Sequence, residues 1–312
     1  ENLQTPVVTF KAGSNNISTA DVVAGSGTNW TAKYTANAGD TNGNVTFTIA
    51  FHDLATNAGT SVISGSGSVT FDKTIPTLSS VSIASNNSTN TRAEVGNEVT
   101  LSFTASEAIK TNPTVVFQSG SAAITNSGSI TYANPSTNNW TAKYTTHSSD
   151  TAGSVTYSID FDDLAGNDGT DVTSGSGSVT FDKTVPTLTG VSIASDNNPT
   201  THANTDDIVT LTIVGSEVLQ QPTVVFSSGS STVADSSITY ATSDGGTTWT
   251  AKYEPEAGDT EGNVTFSVDF DDLAGNDGVD ITAVIGSSSV LFDKTVPTLS
   301  SVSIASNNSC LL

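Results

Sequence analysis

Two nine-residue runs each gather four carboxylates around a Gly-Asn turn: Asp160-Phe161-Asp162-Asp163-Leu164-Ala165-Gly166-Asn167-Asp168 and Asp269-Phe270-Asp271-Asp272-Leu273-Ala274-Gly275-Asn276-Asp277. Two further acids precede each run in the same order, Asp72 and Glu107 for the first, Asp182 and Glu217 for the second. Carboxylates, an Asn carbonyl and backbone carbonyls around a Gly-containing turn are hard oxygen donors. Calcium accepts such a set, whereas magnesium demands stricter octahedral geometry. The candidate ligands are therefore Asp72, Glu107, Asp160, Asp162, Asp163, Asn167 and Asp168, and in the second set Asp182, Glu217, Asp269, Asp271, Asp272, Asn276 and Asp277. The runs do not fit the EF-hand loop. Asp and Asn beside Gly also make ordinary turns by hydrogen-bonding their own backbone. A third version of the run, His52-Asp53-Leu54-Ala55-Thr56-Asn57, lacks a linker Asp and is expected to form no proper site. Asp40, Asp150 and Asp259 recur in another turn, where capping is the ordinary use of such an Asp and ligation the alternative.

The elements that position these acids are set by repetition. The segment Phe71-Asp72-Lys73-Thr74-Ile75-Pro76-Thr77 returns from Phe181 and again from Phe292, 110 and then 111 residues further on. That period is too long for a solenoid and suits a self-contained domain. Within one period, apolar and polar residues alternate at Val81 and Ile83, at Val99, Leu101, Phe103 and Ala105, and at Val115 and Phe117. A short return strand is expected near Ile124. Alternation resumes at Trp140, Ala142 and Tyr144, at Val155, Tyr157, Ile159 and Phe161, and at Val179 and Phe181. No segment has a 3.6-residue apolar period. About seven short antiparallel strands in about 110 residues predict an all-β chain of tandem immunoglobulin-like sandwiches in an elongated array. The expected domains are residues 72–181 and 182–292, preceded by an incomplete repeat, 1–71, without its first two strands. Residues 293–312 supply the linker and first strand of a further repeat.

Because successive strands run in opposite directions, the linker, the loop after the second strand and the loop after the sixth share one tip. Asp72, Glu107 and the 160–168 run occupy those three places, as do Asp182, Glu217 and the 269–277 run. Carboxylates converging there repel unless a cation sits among them. Calcium would stiffen both the domain and its junction. At a dissociation constant of about 0.1 mM, a tenfold calcium excess adds about 1.4 kcal/mol per site. The prolines at 76, 186 and 297 restrict the backbone and remove a donor just before each first strand.

The offset of the repeats has two readings: a window cut from a longer array, or head-to-tail assembly in which one molecule's terminal strand completes the first domain of an identical chain. The absence of methionine points to a processed or excised piece. Cys310 is the only cysteine, so no intrachain disulfide forms, and a metal is the usual substitute fastener in a secreted chain.

Nine Lys plus Arg against 31 Asp plus Glu give a net charge of −22, which repels nucleic acid and anionic membrane. No apolar run is long enough to span a bilayer. His52, His147 and His202 are isolated, and no GxSxG, HExxH or P-loop occurs, so an enzyme is not expected. Lys33, Lys143 and Lys252 recur in WTAKY on the face opposite the Trp and Tyr, which places them in solvent rather than in a buried isopeptide staple. Sequons such as Asn29-Trp30-Thr31 and Asn139-Trp140-Thr141 are expected by chance in a chain this rich in Asn, Ser and Thr. Exposed threonine rows on flat strands leave a glycan- or ice-binding adhesin module as the alternative function.

The phrases FDKTVPTLSSVSIASNN, NEVTLSFTASEAI, NNWTAKY and DFDDLAGNDG resemble the tandem bacterial Ig-like repeats of very large surface and adhesin proteins. The resemblance covers essentially the whole chain. It implies an extracellular, cell-surface location and calcium-stiffened stalks or fibres that hold an adhesive tip, with an unknown surface ligand. By the motif, Asp72 and Asp182 match the linker acid of such repeats.

Overall fold

The computed structural model describes residues 1–16, 21–23, 25, 27–125, 127–234 and 237–307; Cys310 lies outside them. Among the described residues there is no α-helix; a 3-10 turn occurs at Ser127–Ser129, and no helix is long and apolar enough to cross a membrane. The chain forms two compact units. Unit 1 comprises Glu1–Ala84 and Glu98–Val179, and unit 2 comprises Ser85–Asn97 and Thr180–Leu312.

Unit 2 shows the repeat most completely. One sheet runs in the order Leu188–Ser195, Val209–Gly215, Thr248–Tyr253, Thr239–Thr242; the other runs His202–Ala203, Leu291–Phe292, Gly262–Asp269, Thr223–Ser228, Ser231–Thr232. Every second residue of Val209–Gly215 is buried, as period-two alternation demands. The inward residues Val191, Ile193, Leu211, Ile213, Phe226, Tyr253, Val268 and Phe292 make one core between the sheets. Lettered in chain order, the sheets are ABED and A′GFCC′, the strand order of an immunoglobulin-like sandwich. His202–Ala203 pairs in parallel with Leu291–Phe292, the one departure from antiparallel pairing within these two sheets. Ser85–Asn97 contributes Arg92–Ala93, which run parallel to Thr180–Phe181.

Unit 1 contains the sheet order Thr131–Ser136, Asn139–Thr145, Glu98–Ala105, Leu78–Ser85. Facing residues Trp140, Ala142 and Tyr144 are buried, and Lys143 Nζ instead meets Glu98 Oε1 in solvent at 2.8 Å. The first 71 residues add a sheet ordered Asn15–Asn16, Val7–Ala12, Gly43–Ala50, Thr70–Phe71, and Asp21–Val23 pairs with Thr31–Lys33.

Two kinds of strand escape the sequence pattern. Thr131–Ser136 is a sheet-edge strand with almost no buried side chains and contains Pro135, which only an edge tolerates. Arg92–Ala93 and His202–Ala203 are too short to alternate. The short return strand is Ala122–Ala123; Ile124 follows it and is buried. Residues 294–307, expected to include a first strand, carry none, and Leu299, Val302 and Ile304 are exposed at 88%, 83% and 99%. An extended segment with no neighbouring strand has nothing to pair with.

Candidate metal centre

Each acidic loop is wound by its own aspartate. Asp163 Oδ1 accepts from the backbone N–H of Gly166 at 2.7 Å and of Asn167 at 2.8 Å, while Oδ2 accepts from Asn167 Nδ2 at 2.7 Å. Asp272 repeats this with Ala274, Gly275 and Asn276. Asp163 and Asp272 are each only 1% exposed. Burial works to raise Asp163, but the hydrogen bonds from Asn167, Gly166 and Ala165 outweigh it and hold its carboxyl below the usual range.

The loops then face the other acids. Asp72, Glu107 and Asp163 each bring a carboxylate oxygen within 4.8 Å of the others, and so do Asp182, Glu217 and Asp272. Burial raises the Glu107 carboxyl above its ordinary value of 4.5, with Asp72 and Asp163 adding to the effect. Glu217 is raised in the same way by burial, then by Asp182 and Asp272. Beside the first triad lies a cleft of about 380 Å³ lined by Thr70, Asp72, Glu107, Ala108, Asp163, Leu164 and Ala165.

The donor set fits a hard divalent cation. A carboxylate oxygen has two lone pairs, so Asp163 Oδ2 and Asp272 Oδ2 each keep one beyond their bond to an Asn amide. Asp72 Oδ1 accepts from Thr74 N–H and Asn42 Nδ2. Three carboxylates leave the rest of a six-to-eight-oxygen shell to carbonyls and water, which calcium accepts.

Not every expected ligand joins these groups. Asn167 and Asn276 sit at the sites as donors: Asn167 Nδ2 is 3.1 Å from the carbonyl oxygen of Asp72, and Asn276 Nδ2 is 3.3 Å from that of Asp182. The sequence could not show which end of the amide faces the site. Asp160 and Asp269 are exposed strand residues paired with Thr114 and Thr223. Asp162 forms an ion pair with Lys110 Nζ at 2.9 Å, outside the triad. Asp168 and Asp277 are exposed and bridge back to Asp162 and Asp271. Gln220 stands where Lys110 stands, so Asp271 gets no lysine. Burial raises Asp271, and Asp277, Asp269 and Asp272 raise it further.

Glu94 is not among the expected ligands. Its carboxylate lies over Gly275, 3.6 Å from where a Cβ would stand. Burial raises its carboxyl, a hydrogen bond from Asn97 opposes this, and Asp272 and Asp271 add to the rise. Asn87 Nδ2 beside it donates to the Ala274 carbonyl at 2.6 Å. The third repeat has Asn204 where the middle one has Glu94, so no recurring acid drew attention to it.

Asp53 winds its loop like the others, accepting from Asn57 N at 2.8 Å and Asn57 Nδ2 at 2.7 Å. Asp40, Asp150 and Asp259 act as turn caps, each accepting a backbone N–H three residues back: Asn37 at 2.9 Å, His147 and Glu256 at 2.8 Å.

No family model matches the chain, and no curated protein sequence matches it. Among solved structures, it is similar to a crystal structure of titin domains, 16% identical over 90% of this chain and 88% of that one, with a TM-score of 0.39. It is also similar to a chimeric titin Z1Z2 carrying a decorin peptide, at 11% identity over 72% and 100%, TM-score 0.32. A third likeness is to the N-terminal Ig1–2 module of Drosophila receptor protein tyrosine phosphatase DLAR, at 11% over 72% and 100%, TM-score 0.22. These likenesses are weak, and the immunoglobulin-like assignment rests on the strand order of the sheets.

Proposed function

We propose that the chain is a structural segment of an extracellular stalk or surface fibre, built from tandem immunoglobulin-like repeats and stiffened by calcium. One observation carries this reading: each triad joins the acid of the repeated linker, Asp72 or Asp182, to acids from two loops of the repeat that follows it in sequence. A cation held there links the linker to both loops at once. Asp72, Glu107 and Asp163 would hold one ion and Asp182, Glu217 and Asp272 the other, with Glu94 adding negative charge beside the second. The role is mechanical, and neighbouring repeats are the partners.

Small-angle scattering and thermal melting with calcium and with chelator test the reading. The expected result is a longer maximum dimension and a higher melting midpoint in calcium; identical curves in the two buffers remove the cation from the function.

A further inference from the structure

The lysine of the repeated FDKT segment makes the same contact in both units. Lys73 Nζ donates to the carbonyl oxygens of Ala38 at 2.8 Å and Asp40 at 2.7 Å. Lys294 Nζ donates to those of Ala257 at 2.8 Å and Asp259 at 2.7 Å. The carbonyls belong to a turn whose shape is fixed by its own aspartate. Asp40 N–H donates to Asn37 O, and Asp259 N–H to Glu256 O, both at 3.0 Å. The linker backbone is pinned beside it by different chemistry in the two places. Lys73 N–H donates to Asn42 Oδ1 at 3.1 Å, and Lys294 N–H to Glu261 Oε1 at 2.8 Å. The neighbouring residue changes from amide to carboxylate, yet the ammonium keeps its two carbonyls.

We propose that Lys73 and Lys294 are latches: each ammonium clamps the linker back onto the turn of the repeat it has just left and so fixes the direction in which the chain departs. The ammonium is a compact charge with three donors, and two of them are spent on fixed carbonyl dipoles. The latch rests on geometry alone and holds with or without a cation in the triads.

The test is amine labelling of the whole chain with an N-hydroxysuccinimide ester, read site by site by mass spectrometry, in chelator and in calcium. Lys73 and Lys294 are expected to label about fivefold more slowly than Lys33 and Lys252 in both buffers, since charge-assisted hydrogen bonds compete with the reagent. Equal rates in chelator overturn the latch, and so does protection that appears only in calcium. A chain with protected lysines but no calcium response in scattering keeps the latch and loses the cation. As a second readout, Lys73→Gln is expected to speed proteinase K cleavage in the linker from residue 72 to residue 78 about fivefold, in proportion to the opened population. An unchanged cleavage rate counts against the latch.

Discussion

Asn276 joins Asp182 to Asp272: the same amide nitrogen lies 3.3 Å from the Asp182 carbonyl and 2.8 Å from Asp272 Oδ2. Asn167 joins Asp72 to Asp163 in the same way, at 3.1 and 2.7 Å. One side chain thus ties the linker to the loop before any cation binds. Asn276→Ala is expected to destabilise unit 2 by about 1–3 kcal/mol, since it leaves buried acceptors without a donor. Chemical denaturation followed by tryptophan fluorescence measures this, and a change near zero contradicts the tie.

Calcium should raise the melting midpoint by a few degrees. A tenfold excess over a dissociation constant of about 0.1 mM adds about 1.4 kcal/mol per site, at about 2–4 °C per kcal/mol for a unit of this size. Glu107→Gln and Glu217→Gln should each reduce that response while raising the midpoint in chelator, because each removes one of three mutually repelling charges. Calorimetry of the two variants in both buffers checks the pair of opposite signs.

The pH dependence in chelator has a definite sign. Glu107 and Glu217 are raised in the folded state, chiefly by burial, so the fold favours their protonated forms. Stability therefore falls as pH rises from 4.5 through their folded values, then levels off. Asp163 runs the other way: its folded value is lowered, so its contribution is present above 3.8 and lost as pH falls through the folded value. Melting scans in chelator should give a midpoint that declines above pH 4.5, and calcium should flatten that decline. A midpoint that climbs steadily to neutral pH in chelator contradicts the assignment.

Gly169 and Gly278 follow the acidic runs for a packing reason. Each lies against the ring of the run's own phenylalanine, Phe161 or Phe270, and a Cβ at either glycine would overlap that ring. Gly169 N–H also donates to the Phe161 carbonyl at 2.9 Å, so the backbone has little room to retreat. Gly169→Ala and Gly278→Ala should each cost about 1–3 kcal/mol by overpacking, read as a lower denaturant midpoint at unchanged slope.

The sequence carried the sandwich because its central strands alternate: Val99, Leu101, Phe103 and Ala105 are buried and the residues between them are not. It carried the meeting of Asp72 with Glu107 only through the direction of successive strands. It could not carry Thr131–Ser136, whose edge position removes the need for alternation, nor Asn167, whose amide has two chemically opposite ends. Of the acids in each run, composition treats all alike. The structure separates Asp163, buried and wound into its loop, from Asp162, which Lys110 neutralises.

The parallel pairing of Arg92–Ala93 with Thr180–Phe181 and of His202–Ala203 with Leu291–Phe292 sets how these repeats would respond to a pull on their ends. The hydrogen bonds Thr180 N to Thr91 O, 2.9 Å, and Asp182 N to Ala93 O, 2.8 Å, lie across the direction of the strands. Leu291 N to Thr201 O, 2.9 Å, and Asp293 N to Ala203 O, 3.0 Å, form the equivalent pair. In each pair one strand lies near the start of a repeat and the other at its end, so a pull on the chain slides them past each other. Both bonds are then strained together and neither can open ahead of its partner. A pull on the ends of the repeat would therefore load each two-residue strand in shear, across both of its bonds at once.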